Sequence, residues 1–109
     1  FLLCNWLPAV SMARATLEYA ILESAARLGV DTSDPEDRRR TAMLGELIRR
    51  VAEKCPEIRD DMDRVNRAGN AVMHPEVDQK AVEFPTSVKT ALSSLERLGR
   101  VLERLYGGT

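Results

Sequence analysis

The sequence predicts an all-α protein, an antiparallel up-down four-helix bundle. Leu, Ala, Arg and Glu dominate the composition and form helices well, whereas aromatic residues make up only 5% of the chain. Apolar residues also recur every three or four positions in four separate stretches. The stretches are joined by short connections, which favours antiparallel packing of successive helices.

The length of 109 residues suits one domain with a buried core. We therefore expect residues 1–109 to form a single helical domain. Because the chain begins with Phe1 rather than Met, we expect it to be trimmed, or excised from a longer protein.

The first helix is expected from about Asn5 to Leu28, where Gly29 ends it. Asp34 as N-cap and Pro35 at the first helical position predict a second helix that runs to about Lys54. The first turns of this second helix are very polar and are also compatible with a loop. The inward-facing residues expected in the two helices are Val10, Ala13, Leu17, Ala20, Ile21, Ser24 and Leu28, then Met43, Leu44, Leu47, Ile48, Val51 and Cys55.

The third helix is expected from about Glu57 to Met73, since Pro56 precedes it and Pro75 stops it. The fourth follows a Thr86 or Ser87 cap and runs to about Tyr106. The inward-facing residues expected here are Ile58, Met62, Val65, Gly69 and Val72, then Val88, Leu92, Leu95, Leu98, Leu102 and Leu105. Glycine inside a helix costs about 1 kcal/mol relative to alanine. A close approach by another backbone or by a substrate would explain Gly69, and so would neutral drift of the sequence.

Charge and cysteine content give no support for nucleic-acid binding by bulk charge, for a metal site or for a disulfide. The 16 basic residues nearly balance the 17 acidic ones, so bulk charge gives no evidence for nucleic-acid binding. The run Arg38 to Arg40 fits a solvated surface better than an RNA guide. Cys4 and Cys55 lack metal-type spacing, and we interpret both as reduced, half-buried thiols of a cytosolic protein. No metal, no cofactor and no membrane span are expected, because neither clustered ligands nor an apolar run of about 20 residues occurs.

The feature that points to chemistry is a polar stripe formed by Arg67, Asn70 and His74, the only histidine. Steps of three, four and seven return to nearly the same face of an α-helix. Near neutral pH a histidine can accept or donate a proton, while an arginine holds phosphate with two parallel hydrogen bonds. Such a pair suits cleavage of an RNA phosphodiester without metal, with a 2′,3′-cyclic phosphate as product.

An ordinary polar surface would give the same pattern, with His74 favoured by the dipole at the helix C-terminus. The spacing alone favours this plainer interpretation, since short motifs match by chance. One Arg and one His are few groups for catalysis. A two-fold dimer would place two stripes face to face and so double the number of these groups in one cleft.

The stripe resembles the signature of the HEPN superfamily, an Arg separated by four to six residues from a His on the third helix of a four-helix bundle. Gly69-Asn70 is similar to the bacterial HEPN-like domains fused to restriction or defence proteins. Arg14-Ala-Thr-Leu17-Glu18 is similar to their Arg-x-x-Leu-Glu stretch. The chain departs from the pattern directly after Arg67, where many members have a polar residue and this sequence has Ala68.

The resemblance implies a homodimer with a composite Arg/His cleft and metal-independent endoribonuclease activity on RNA. Arg67 and His74 would carry catalysis and Asn70 would support them, in a bacterial defence, toxin or stress system. The alternative is a non-catalytic helical module that dimerises or docks a larger effector protein.

Glu18 has two interpretations of equal weight. On the first helix it could pair with Arg67 and fix the direction of its guanidinium. It could equally form a local ion pair with Arg14, four residues earlier, on an exposed surface.

Overall fold

The fold is made of helices alone in the part of the chain that the structure, a computed structural model, describes. That part comprises residues 6–73 and 88–107, with only the backbone described for 6–8, 72–73, 88 and 90. The helices are α1 (Trp6–Leu28), α2 (Leu44–Lys54), α3 (Arg59–Met73) and α4 (Val88–Tyr106). A 3₁₀ turn, Pro56–Ile58, leads into α3. The all-α prediction is confirmed. No described helix has the length and apolar character needed to cross a membrane.

The directions of the helices follow from contacts at the two ends of the bundle. At one end Val10 of α1, Ala68 of α3 and Ala91 of α4 form one buried cluster. At the other end the Tyr106 hydroxyl of α4 donates to Glu23 of α1. Helices α1 and α4 therefore run parallel to each other and α3 runs antiparallel to both. The predicted up-down order is not confirmed, because that order would make α1 and α4 antiparallel.

The core lies between α1, α3, α4 and the shorter α2. Its largest fully buried side chains include Leu17, Ile21, Leu47, Met62 and Val101. The predicted inward faces of α1 and α3 are confirmed at every described position, although Leu28 is only partly buried. Three other predictions are wrong, because Met43, Leu92 and Leu95 are 81%, 61% and 46% exposed. In α4 the buried side is instead formed by Ala91, Ser94, Leu98, Val101 and Leu105.

Helix α2 begins at Leu44, later than the expected start at Pro35. The Asp34 carboxylate does accept the amide N–H of Glu36, as an N-cap would, but the chain then turns back on itself. The backbone N–H of Asp34 donates to the carbonyl of Arg40, and the N–H of Ala42 donates to that of Thr32. Local side-chain and backbone hydrogen bonds thus hold a compact loop where the cap signal predicted a helix.

A row of ion pairs fastens α4 to the start of α3. Arg100 donates to both carboxylate oxygens of Asp61 at 3.0 and 3.1 Å, and Arg97 adds a bond of 3.0 Å. Arg104 pairs with Glu57 farther along. The hydrogen bonds from Arg100 lower the pKa of Asp61 and outweigh its partial burial. The negative charges at this end of α3 are therefore neutralised by α4.

Cys55 is a free thiol with 0% exposure, just after α2. The predicted reduced state agrees with this, but the thiol is fully buried rather than half-buried. Cys4 lies outside the described residues.

Candidate functional site on helices α1 and α3

The polar stripe begins on the C-terminal half of α3 as expected. Arg67 is exposed and Asn70 is half-buried on the helix that ends at Met73. His74 follows directly and lies outside the described residues. Its place in the stripe stays a prediction, supported by the helical backbone that reaches the residue before it.

Burial of the opposite side of α3 turns the stripe outward. Met62 and Val65 are completely buried, and Ala68 is 5% exposed in its cluster with Val10 and Ala91. A polar side chain at position 68 would be buried between α1 and α4 at a cost of about 1–3 kcal/mol without a partner. This explains physically why alanine follows Arg67. The polar position next to Arg67 on the exposed side is Asn70, one turn later.

Gly69 provides the close contact between α3 and α1. A Cβ atom at this position would lie 2.5 Å from Cδ and 2.6 Å from Cβ of Arg14. The absence of a side chain therefore lets the stem of Arg14 lie across α3. The expected close approach is confirmed, but the approaching group is a side chain of α1 rather than a backbone or a substrate.

The head of Arg14 is held at the edge of the stripe. Its Nε–H donates to Oδ1 of Asn66 at 3.1 Å in a partly buried position. Asn66 lies four residues before Asn70, so the two amides share one side of α3. We call the patch formed by Arg14, Asn66, Arg67 and Asn70 the Arg14–Asn70 surface.

Glu18 is half-buried on α1, one turn beyond Arg14. Of the two partners considered for it, Arg14 directs its guanidinium to Asn66. A supporting role for Glu18 thus stays a prediction that depends on helix geometry alone.

The C-terminal half of α3 carries no negative side chain. The three aspartates of the first turns of α3, at positions 60, 61 and 63, are all ion-paired. From Arg64 to Met73 the helix contains no acidic residue. Asn66, Arg67 and Asn70 thus lie on a stretch of α3 that has no carboxylate of its own, and the Arg14 guanidinium is bonded to Asn66. Guanidinium and amide groups in such a place favour binding of an anion such as phosphate.

A metal site does not emerge from the described residues. They contain no group of three or more His, Cys, Asp or Glu side chains close enough to hold an ion. The chemistry open to this surface is recognition of an anion by guanidinium and amide groups. Proton transfer would come from His74.

Sequence reasoning gave Arg14 a minor place and missed Asn66. Two signals were available: the spacing of four residues from Asn66 to Asn70, and the mid-helix Gly69 that lies between them. Because the contact joins residues 52 positions apart, no local pattern could identify Arg14 as the partner.

We expect Gly69→Ala to lower the free energy of unfolding by about 1–3 kcal/mol, since the new methyl group would overlap the Arg14 stem near its backbone. Gly45→Ala on α2 is the matched control, because nothing lies within 4 Å of a Cβ there. That change should stabilise the protein by about 0.5 kcal/mol. Urea unfolding followed by circular dichroism measures both. Equal stabilisation by the two changes would contradict the Arg14 contact.

Comparison with protein-family models, with curated proteins and with solved structures finds no match to this chain. The functional argument therefore depends on the residues and geometry of the Arg14–Asn70 surface and on the predicted place of His74.

Proposed function

We propose that this chain is a metal-independent endoribonuclease of the HEPN type that acts as a homodimer in a bacterial defence, toxin or stress-response system. One observation carries the proposal. Arg67 is exposed beside Asn70 on the helix that leads directly to His74, and a second guanidinium, that of Arg14, is fixed at the edge of the same surface. This combination supplies phosphate binding and a titratable imidazole within two helical turns.

The reaction uses the nucleophile that RNA carries itself. The imidazole of His74 takes the proton of a ribose 2′-hydroxyl, and the 2′-oxygen attacks the adjacent phosphorus. The bond from phosphorus to the 5′-oxygen breaks, and that oxygen leaves with a proton delivered by the imidazolium of the second His74 that the proposed homodimer supplies. The products are a 2′,3′-cyclic phosphate and a 5′-hydroxyl.

The arginines stabilise the charge that builds on the phosphate during attack. Arg67 is placed to hold the non-bridging oxygens, and the Asn70 amide can donate to one of them. Arg14 donates its Nε–H to Asn66, and its two terminal amino groups belong to the same guanidinium plane. It is therefore suited to the neighbouring phosphate of a bound strand.

A second candidate function is a non-catalytic helical module that dimerises or docks a larger effector. The observation that favours it is a set of exposed apolar side chains on α1 and α4, away from the Arg14–Asn70 surface. Both functions use the same fold, so only an activity measurement separates them.

Incubation of the purified chain with RNA in the presence of a chelator tests the proposal. We expect RNA to be cut into fragments with 2′,3′-cyclic phosphate ends, because the 2′-hydroxyl and the imidazole need no metal. The DNA strand of the same sequence is the control and should remain uncut, since it lacks the nucleophile. RNA that is bound but left intact would overturn the ribonuclease and favour the docking module.

A further inference from the structure

An apolar face covers the side of the α1–α4 pair that is turned away from α3. Arg14 of α1 and Arg97 of α4 make hydrogen bonds to side chains of α3. Met12 and Leu95 each lie two positions before one of these arginines, about 200° round the helix, and so point away from α3. The large side chains of the face are between 39% and 67% exposed: Met12, Tyr19, Leu22, Leu92, Leu95 and Tyr106. We call this patch the α1–α4 apolar face.

The α1–α4 apolar face has the repeat of a groove that accepts a helix. On α1 the positions 12, 15, 19, 22 and 26 follow steps of three and four, and on α4 the positions 92, 95, 99, 102 and 106 do the same. Ala15, Ala26 and Gly99 are small and exposed, and a Cβ atom at Gly99 would meet no other group within 4 Å. Each row extends over four turns, so the groove fits a helix of about 15 residues, roughly 21 Å long.

Four carboxylates border this groove. They are Glu18 and Glu23 on α1, and Glu96 and Glu103 on α4. Glu96 and Glu103 are exposed and each lies one turn from a residue of the α4 row. Hydrogen bonds from the hydroxyls of Tyr106 and Tyr19 lower the pKa of the Glu23 carboxyl, which keeps this group negatively charged at neutral pH.

The arginines near the groove are engaged by the bundle itself. Arg27 donates to a backbone carbonyl at the end of α4 and lies over the ring of Tyr106, with 5.7 Å between the guanidinium carbon and the ring centroid. Arg100 donates to both carboxylate oxygens of Asp61 on α3. Lys89 lies one turn before the α4 row begins. The border of the groove is therefore acidic along most of its length.

The acidic border decides between the possible occupants of the groove. A second copy of the face would bring carboxylates against carboxylates, which opposes association. RNA and an anionic membrane surface would be repelled in the same way. A basic helix would satisfy both the apolar rows and the charges beside them.

We propose that the α1–α4 apolar face binds an amphipathic helix of another protein, about four turns long, with Lys or Arg on both flanks of its apolar side. The apolar side fills the groove and the basic flanks pair with the bordering glutamates. The proposal names a partner for the docking surface and holds whether or not the chain cuts RNA. Because the stripe on α3 lies on another side of the bundle, the helix and the homodimer proposed above can form together.

Fluorescence anisotropy with two labelled synthetic 15-residue peptides tests the proposal. Both peptides carry leucines along one side of a helix, and the flanking positions are lysines in one and glutamates in the other. The lysine peptide should bind the chain with a Kd in the micromolar range and become helical, as followed by circular dichroism. The glutamate peptide should bind at least about tenfold more weakly, because its charges would meet the acidic border.

Variants of the groove separate apolar contact from charge. Met12→Arg on α1 and Leu95→Arg on α4 should each weaken binding of the lysine peptide by at least about tenfold, because a large apolar contact is replaced by a charge. The double change Glu96→Lys with Glu103→Lys should reverse the preference and favour the glutamate peptide. Met43→Arg is the matched control and should bind like wild type, since Met43 is 81% exposed and precedes α2.

Three results would overturn the proposal. They are no binding of the lysine peptide to wild type, equal binding of the two peptides, and binding that resists both Met12→Arg and Leu95→Arg. Sedimentation velocity of the chain alone adds a fourth, because a dimer that Leu95→Arg dissociates would mean that a second copy covers the face. A dimer that survives Leu95→Arg while peptide binding is lost supports the proposal, whatever the result of the RNA cleavage assay. The circular dichroism of each variant shows that its helices are retained.

Discussion

Arg67→Ala and His74→Ala are each expected to lower the rate of RNA cleavage by about a hundredfold to a thousandfold. General acid–base catalysis contributes roughly 10²–10⁴ in rate, and one group that stabilises developing negative charge contributes about 10²–10³. Because Arg67 is exposed on α3, its truncation should leave folding intact. The measurement is the initial rate of cleavage under chelator, with the helical signal recorded for each variant.

Arg64→Ala is the matched control for charge. Arg64 lies on the same helix, is 56% exposed and sits near Asp60. If Arg67 acts by holding the reacting phosphate, Arg64→Ala should change the rate by less than about threefold at moderate salt. Equal losses in both arginine variants would mean that general attraction of RNA is being measured. Full activity in both Arg67→Ala and His74→Ala would assign the cleavage to another site or a contaminant.

The fold class could be predicted because apolar residues recur at helical spacing along α1 and α3. Leu17 and Ile21 on α1, and Met62 and Val65 on α3, lie on the sides that face the core, and all four are fully buried. Helix α4 has two apolar sides. The sequence predicted that the large leucines at 92 and 95 face the core, whereas the bundle buries the row that starts at Ala91. Small residues such as Ala91 and Ser94 let α4 approach α1, which itself presents Ala13 and Ala20. This complementarity belongs to the pair of helices and cannot be read from one of them.

The predicted up-down order of the helices is not confirmed, for a related reason. An up-down order assumes that every helix spans the bundle. Helix α2 has 11 residues against 23 in α1, about 16 Å against 34 Å. It is too short to act as a full member, because turns at Asp34 and Asp37 hold the chain before it in a loop. The three long helices then pack with α3 antiparallel to both α1 and α4.

The candidate site was predictable on α3 and only partly so on α1. Helix periodicity alone joins Arg67 to Asn70, and the mid-helix Gly69 indicated a close contact. The residue that makes this contact, Arg14, depends on how α1 crosses α3, which is a tertiary property. Ala68, a departure from the family pattern by sequence, is explained by burial between two neighbouring helices.

A large effect on stability is expected at Leu47. This side chain is 0% exposed in the main core cluster, where α2 packs on α1 and α3. Leu47→Ala should lower the free energy of unfolding by about 2–5 kcal/mol, since it removes buried methyl groups and leaves a cavity. Urea unfolding at fixed protein concentration measures the change, with the concentration held constant because dimerisation adds to the apparent stability.

Met43→Ala is the control that separates burial from residue type. The sequence assigned Met43 and Leu47 to the same apolar side of one helix, but Met43 precedes the first turn and is 81% exposed. Its truncation should change the free energy of unfolding by no more than about 0.5 kcal/mol. If both changes cost the same, α2 would begin earlier and bury both side chains, as the sequence alone suggested. A large cost at Leu47 with almost none at Met43 requires the loop that ends at Met43 and the core contact that begins with Leu44.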